Sequence, residues 1–252
     1  MMLKQINHGP VRELCLDRPP VNALNPQLVS ELTVAVTDAG KTAKALVISG
    51  REGLFSAGLD VPELMALNHQ DMSEFWQDFF GLLEVIARSP IPVAFALTGH
   101  APAGGAVLSL FGDYRVMSRG SFVIGLNETR VGLLVPGVIR RALMRLTGEH
   151  RAERLIVAGA LISPEEALAA GMVDELADTP AKTVRAATDW CLSHLQLPSH
   201  AMLGNRELMR ADICREFDAL NETDVSEFVD SWFDHETQGV LQEVVRKLKG
   251  KS

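Results

Sequence analysis

Cysteine is scarce in this 252-residue chain: Cys15, Cys191 and Cys214 are odd in number, far apart and without a CxxC pair. That excludes a disulfide framework or a zinc finger and fits a reducing compartment. No HExxH and no Cys/His cluster occurs, so no metal is expected, and His150 and Glu153 read as the solvated start of a helix. Neither GxGxxG nor GxxxxGK[ST] is present, which removes support for NAD or ATP as cofactor. Ser56 lacks the G-x-S-x-G flanks of a serine hydrolase. Basic excess is missing too: 24 Lys and Arg stand against 32 Asp and Glu, a formal charge of -8, so nucleic acid is not an expected partner. The first residues show neither a secretory nor a transit pattern, and the expected location is cytoplasmic. Ser89 to Gly112 carries no Asp, Glu, Lys or Arg, yet Pro90, Pro92, Gly99, Pro102, Gly104 and Gly105 break it into pieces too short for a membrane helix.

What is present is an ordinary globular mixture, 47% hydrophobic and 22% charged, long enough for one large domain or a domain with a lobe. Leu3 to Ile6 and Val11 to Leu16 flank His8-Gly9-Pro10 and predict a hairpin. Asn25 and Pro26 open a helix that Gly40 is expected to end. Ala45 to Ser49 and Val93 to Leu97 have the length and apolar character of buried strands, and Tyr114 to Ser118 and Ser121 to Ile124 predict two more. A helix from Ser73 to Arg88 carries the apolar stripe Phe75, Phe79, Leu82, Leu83 and Ile86, and Ser163 and Gly171 bracket a short one. The repetition of strand, glycine loop and helix predicts α/β architecture, followed by helices alone after Pro198.

Three features carry possible chemistry. The loops Phe55-Ser56-Ala57-Gly58-Leu59-Asp60 and Ala101-Pro102-Ala103-Gly104-Gly105-Ala106 each lie between an expected strand and an expected helix. Small residues there let backbone approach a ligand, and free N–H groups at a helix start attract an oxyanion; a tight turn alone would also account for either loop. The third is Glu128, an acidic residue in a mostly uncharged stretch, either solvated or, if desolvated, a general base with a raised pKa.

Taken together, the segments PPVNALN at Pro19 to Asn25, LFSAGLDVPEL at Leu54 to Leu64, PAGGAVLSLFGDYRV at Pro102 to Val116 and IGLNETRVGLL at Ile124 to Leu134 resemble the enoyl-CoA hydratase/isomerase (crotonase) superfamily across nearly the whole chain. Within it, the sequence is most similar to the mitochondrial-type Δ3,Δ2-enoyl-CoA isomerases. The resemblance implies a crotonase-like spiral of ββα turns over residues 1–196, binding acyl-CoA and carrying out catalysis. Residues 197–252 would be a C-terminal helical lobe that closes the CoA site and builds a homotrimer or a dimer of trimers. It implies an acyl-CoA thioester substrate of fatty acid β-oxidation, with no separate cofactor. The oxyanion donors would be the backbone N–H groups of Leu59 and Gly104, and the catalytic acid/base Glu128. Asn22, Ala23, Leu24, Ala57, Gly58 and Asp60 fall in the segments that contact substrate or its CoA portion; Asp60 equally suits a helix cap. Phe75, Trp76, Phe79 and Phe80 would line an acyl tunnel or form core, and Lys247, Lys249 and Lys251 would reach CoA phosphates or be a solvated helix end.

Where the family's hydratases place a first catalytic Glu, this chain has Val107. Hydration uses two cooperating carboxylates, whereas one base suffices to move a double bond, so isomerisation is the expected reaction. A hydratase or other crotonase-family reaction remains the alternative if Glu63 or Glu84 supplies a second carboxylate. A non-catalytic binding protein on the same fold is the alternative from another class.

Overall fold

The computed structural model describes residues 2–220 and 222–249. Strand β1 (Leu3–His8) pairs antiparallel with β2 (Val11–Leu16) through the expected turn. The chain then alternates strand pairs and helices: α1 (Pro26–Thr42), β3 (Ala45–Ser49), β4 (Gly53–Leu54), α2 (Val61–Leu64) and α3 (His69–Ala87); β5 (Val93–Leu97), β6 (Gly99–Pro102) and α4 (Gly104–Leu110); β7 (Tyr114–Ser118) and β8 (Ile124–Gly125). The first strand of each pair joins a six-stranded sheet ordered β1-β2-β3-β5-β7-β9, parallel after β2, where β9 is Glu175–Ala177. The second joins a parallel sheet ordered β4-β6-β8. This is a spiral of ββα turns, with consecutive turns stacked along two sheets.

Around β3 and β5 both faces of the large sheet are covered, which is why these strands have no exposed residue and, Ser49 apart, are apolar. Side chains alternate across the pleat. Leu46, Ile48, Phe95 and Leu97 enter the main core with α1 and α3, while Ala45, Val47, Ala94 and Ala96 face Ala187 and Cys191 of α8 (Pro180–His194). The small alanines let α8 lie close across β3, β5 and β7. Helices α5 (Gly137–Thr147), α6 (Glu149–Val157) and α7 (Pro164–Ala170) follow β8, and α9 (Ser199–Ala219), α10 (Glu222–Phe233) and α11 (His235–Lys249) end the chain. Ile213, Phe217, Phe228, Trp232 and Leu241 of these last helices belong to the same apolar core as the sheet. Arg210 on α9 donates to the C-terminal carbonyls of Ala87 and Phe111 and pairs with Asp113, so its buried charge is neutralised at two helix ends.

Several boundaries differ from the sequence expectation. Helix α1 runs past Gly40, where a Cβ would sit 3.2 Å from Pro90, so that glycine answers to a close approach and not to a stop. Helix α3 starts four residues before Ser73, with Asn68 as its cap. The expected loop before α4 contains β6, α4 starts at Gly104, and β8 is only two residues long. Among the described residues no helix is long and apolar enough to cross a membrane.

Candidate active site

The first glycine loop is stitched to the segment after β2. Ser56 Oγ donates to the Asn22 carbonyl at 2.7 Å and accepts from Gly58 N–H at 3.1 Å. Leu24 N–H donates to Gly58 O at 2.8 Å, and Asp60 N–H to Leu24 O at 2.9 Å. Gly58 O and Leu59 N–H belong to one planar trans peptide and point in opposite directions. With its carbonyl held by Leu24, that peptide turns Leu59 N–H away from Leu24. Gly58 permits the turn with φ +89°.

The second loop meets the first there. Ala103 has φ +48°, a conformation that costs a non-glycine residue about 1–3 kcal/mol and clusters at functional sites. It is held by Ala103 N–H to Gly125 O at 2.8 Å and by Val107 N–H to its own carbonyl at 2.9 Å. Gly104 opens α4, so its N–H has no partner within the helix. A Cβ on Gly58 would lie 3.2 Å from Gly104 N, and one on Gly104 would lie 3.5 Å from the Gly58 Cα. The two loops therefore touch at Gly58 and Gly104, which brings the start of α4 against the Gly58–Leu59 peptide.

Glu128 follows β8 on a short 3-10 turn, Glu128–Val131. Its Oε2 is buried with no hydrogen-bond partner among the described residues, and so is the Oδ1 of neighbouring Asn127. Burial pushes the Glu128 carboxyl up to about 7, against a smaller downward pull from its own backbone N–H. Glu31, Glu166 and Asp178, which accept hydrogen bonds at the surface, shift downward instead. A carboxyl near neutrality can both take and return a proton. The turn is pinned by Leu133 N–H to Glu128 O at 3.0 Å, Thr129 Oγ1 to Ile156 O at 2.7 Å and, from α11, Thr237 Oγ1 to Gly132 O at 2.8 Å.

The enoyl-CoA hydratase/isomerase family model matches residues 7–249. The chain belongs to this enoyl-CoA hydratase/isomerase family. It is 30% identical over 243 residues to mouse enoyl-CoA delta isomerase 1, mitochondrial, covering 94% of this chain and 83% of that protein. It is 34% identical over 191 residues to the Mycobacterium tuberculosis protein named "Probable enoyl-CoA hydratase EchA17", covering 75% of this chain and 72% of the relative. Among solved structures, human mitochondrial delta3-delta2-enoyl-CoA isomerase superposes with a TM-score of 0.94 at 27% identity, over 100% of both chains.

Other residues of this hydratase/isomerase chain that the sequence singled out have varied placements. Asn22 is buried at φ +48°, its amide donating to Leu16 O and Phe55 O and accepting from Arg18 N–H, so its side chain is spent internally. Leu24 is buried, with Cδ1 2.9 Å from where a Gly104 Cβ would be; Ala23 offers its carbonyl to Arg18; Ala57 is exposed and donates its N–H to Val21 O. Asp60 caps α2 through Glu63 N–H and pairs with Arg18 at 2.7 Å. Phe75, Trp76, Phe79 and Phe80 are buried against one another, with Trp76 also against Phe228 at 4.3 Å between centroids. Val107 is buried in the main core. Lys247 is exposed beside Glu243 at 3.4 Å; the Lys249 side chain and Lys251 lie outside the described residues. Sequence reasoning missed Arg18 and Asn127. Arg18 is an ordinary surface residue type, and nothing in the sequence marks the Asn127 Oδ1 as buried beside Glu128.

The Glu128 shift also affects stability. An acid whose folded pKa is raised contributes most below its unfolded value near 4.5 and loses that contribution as pH rises toward about 7, because folding then buries a charge. Glu128→Gln removes this cost. The variant is expected to melt above the wild type at pH 8, by up to roughly 2–3 kcal/mol, with the gap closing toward pH 5 in paired thermal scans.

Proposed function

We propose that the chain is a Δ3,Δ2-enoyl-CoA isomerase that moves the double bond of a 3-enoyl-CoA to the trans-2 position. The observation that carries this reading is a single desolvated carboxyl, Glu128, with a pKa near 7, in a site where the counterpart of a second carboxylate is the buried apolar Val107. The two other carboxylates weighed for that role are otherwise engaged. Glu63 bonds Arg18 and Asn25, and Glu84 pairs with Arg88, both at the surface.

Glu128 takes a proton from C2, and the C2–H electron pair delocalises through the thioester to its oxygen, forming a dienolate. The N–H groups of Leu59 and Gly104 receive that negative charge. Protonated Glu128 then returns the same proton at C4, and the electrons withdraw to leave the C2=C3 double bond. One base serves both transfers, and nothing is gained or lost.

The same reading includes assembly as a homotrimer or dimer of trimers, supported by Leu208 and Met209, which stand exposed on α9. It includes a reducing location such as the cytoplasm, supported by free thiols at Cys15, Cys191 and Cys214. The deciding assay runs 3-hexenoyl-CoA isomerisation beside crotonyl-CoA hydration on the same preparation. Isomerisation is expected to be the faster by at least about tenfold, since hydration lacks its second carboxylate. Faster hydration would overturn the assignment.

A further inference from the structure

Arg18 is committed to a single junction. Its Nη1 donates to Ala23 O at 3.1 Å, and its Nη2 lies 2.7 Å from Asp60 Oδ2 and 3.0 Å from Glu63 Oε2. Its backbone N–H donates to Asn22 Oδ1 at 2.8 Å, and its carbonyl accepts from Asn22 N–H at 2.7 Å. Only 17% of the Arg18 side chain and 14% of the Asp60 side chain are exposed, so this pair is screened less than an ordinary surface ion pair. The guanidinium thus ties the 22–24 segment to the 60–63 segment. Between those attachments lie the two backbone bonds that orient the Gly58–Leu59 peptide: Leu24 N–H to Gly58 O, and Asp60 N–H to Leu24 O.

We infer that Arg18 is a positioning residue for the first oxyanion donor: its fork across Ala23 O, Asp60 and Glu63 holds Leu24 in register with residues 58–60 and so aims Leu59 N–H at the thioester oxygen. This rests on the reading of Leu59 as a donor in the proposed reaction. The planar fork suits the task, because it meets a carbonyl and two carboxylates in fixed directions. A lysine supplies the charge as a single point and reproduces the geometry only in part. Because Arg18 acts on the oxyanion and not on the proton, its loss weakens stabilisation of the enolate and leaves the ionisation of Glu128 alone.

Two readouts separate this role from a merely structural one. The first is the kcat and KM of isomerisation. The second is the near-ultraviolet absorbance of the enolate formed when acetoacetyl-CoA binds, which reports the donor pair without any turnover by Glu128. Arg18→Ala is expected to lower kcat about ten- to a hundredfold with KM within about threefold, since a donor displaced by a fraction of an ångström costs less than a donor deleted. It should weaken the enolate band to match, and Arg18→Lys should recover part of both. The midpoint of the kcat/KM pH profile should stay in place. Should Arg18→Ala fold poorly, Asp60→Asn is the second variant, because asparagine caps a helix as well as aspartate but removes the charge facing Arg18. A folded Arg18→Ala or Asp60→Asn protein with an undiminished enolate band overturns the inference, whether or not turnover has dropped. A wild type that forms the enolate band but does not isomerise 3-enoyl-CoA would defeat the proposed function, while the band would still report on Arg18.

Discussion

Glu128→Gln is expected to lower isomerase turnover by about 10² to 10⁴ while leaving acyl-CoA binding intact, because a positioned acid/base contributes a rate factor of that size. The amide keeps the shape of the side chain and has no basic oxygen for the C2 proton. On the proposed mechanism the same group sets the pH dependence of the wild type. Only ionised Glu128 can start the reaction, so kcat/KM should rise with pH through a midpoint near the carboxyl pKa of about 7. At pH 6 about a tenth of the molecules carry the base form, and kcat/KM should lie about tenfold below its plateau above pH 8. A flat profile between these limits, or near-normal turnover in the glutamine variant, would show that another group moves the proton. Stability moves in the opposite sense over this range, since the ionisation that activates the base is the one that burial penalises.

Gly58→Ala should be nearly as damaging through a different physical route. Its φ of +89° already disfavours a side chain, and the new methyl would stand 2.9 Å from Ala103 Cβ and 3.2 Å from Gly104 N. Nothing at those distances is the flexible end of a long side chain, so relief comes from parting the two loops. In the proposed mechanism that separates the Leu59 and Gly104 donors, which would have to meet on one oxygen. A loss of about 10² or more in kcat/KM follows, with KM changed less than kcat. Gly53 supplies the control: its φ is +78°, but a Cβ there meets nothing within 4 Å. Gly53→Ala should show a similar backbone cost of about 1 kcal/mol in a melting experiment and retain its activity. Equal activity losses in the two variants would mean that backbone strain, and not the meeting of the loops, explains the result.

Strands β3 and β5 were legible to the residue, because strands buried on both faces are mostly apolar and turn residues bracket them. Helix α7 was legible for a different reason: Ser163 and Glu166 complete a capping box and Gly171 takes the left-handed position at the other end, all of it local. Where local signals met tertiary demands, the reading slipped. Gly40 looks like a helix stop but lies inside α1 against Pro90, and β9 has no pattern of its own, being a strand only because Glu175 to Ala177 pair with Val116 to Ser118. Glu128 could be picked out as a lone acid in an uncharged stretch, yet solvated and desolvated acids look alike in sequence. Burial of Oε2 alone separates them, and it exists only in the folded chain, where the turn that carries Glu128 is held by elements as distant as α11.

The order of residues on its own determined which chemical groups are available: two glycine-bearing loops, a carboxyl at Glu128, and apolar runs that commit the chain to layered sheets. These are properties of composition and neighbouring positions, set by side-chain chemistry and backbone preference. Only the tertiary structure decided that Gly58 touches Gly104, that the Gly58–Leu59 peptide points its N–H away from Leu24, and that Arg18 spans from Ala23 to Glu63. Those contacts join residues up to 46 positions apart, as Gly104 lies from Gly58. Their direction depends on hydrogen bonds and on exclusion of water, which exist only once the spiral has closed.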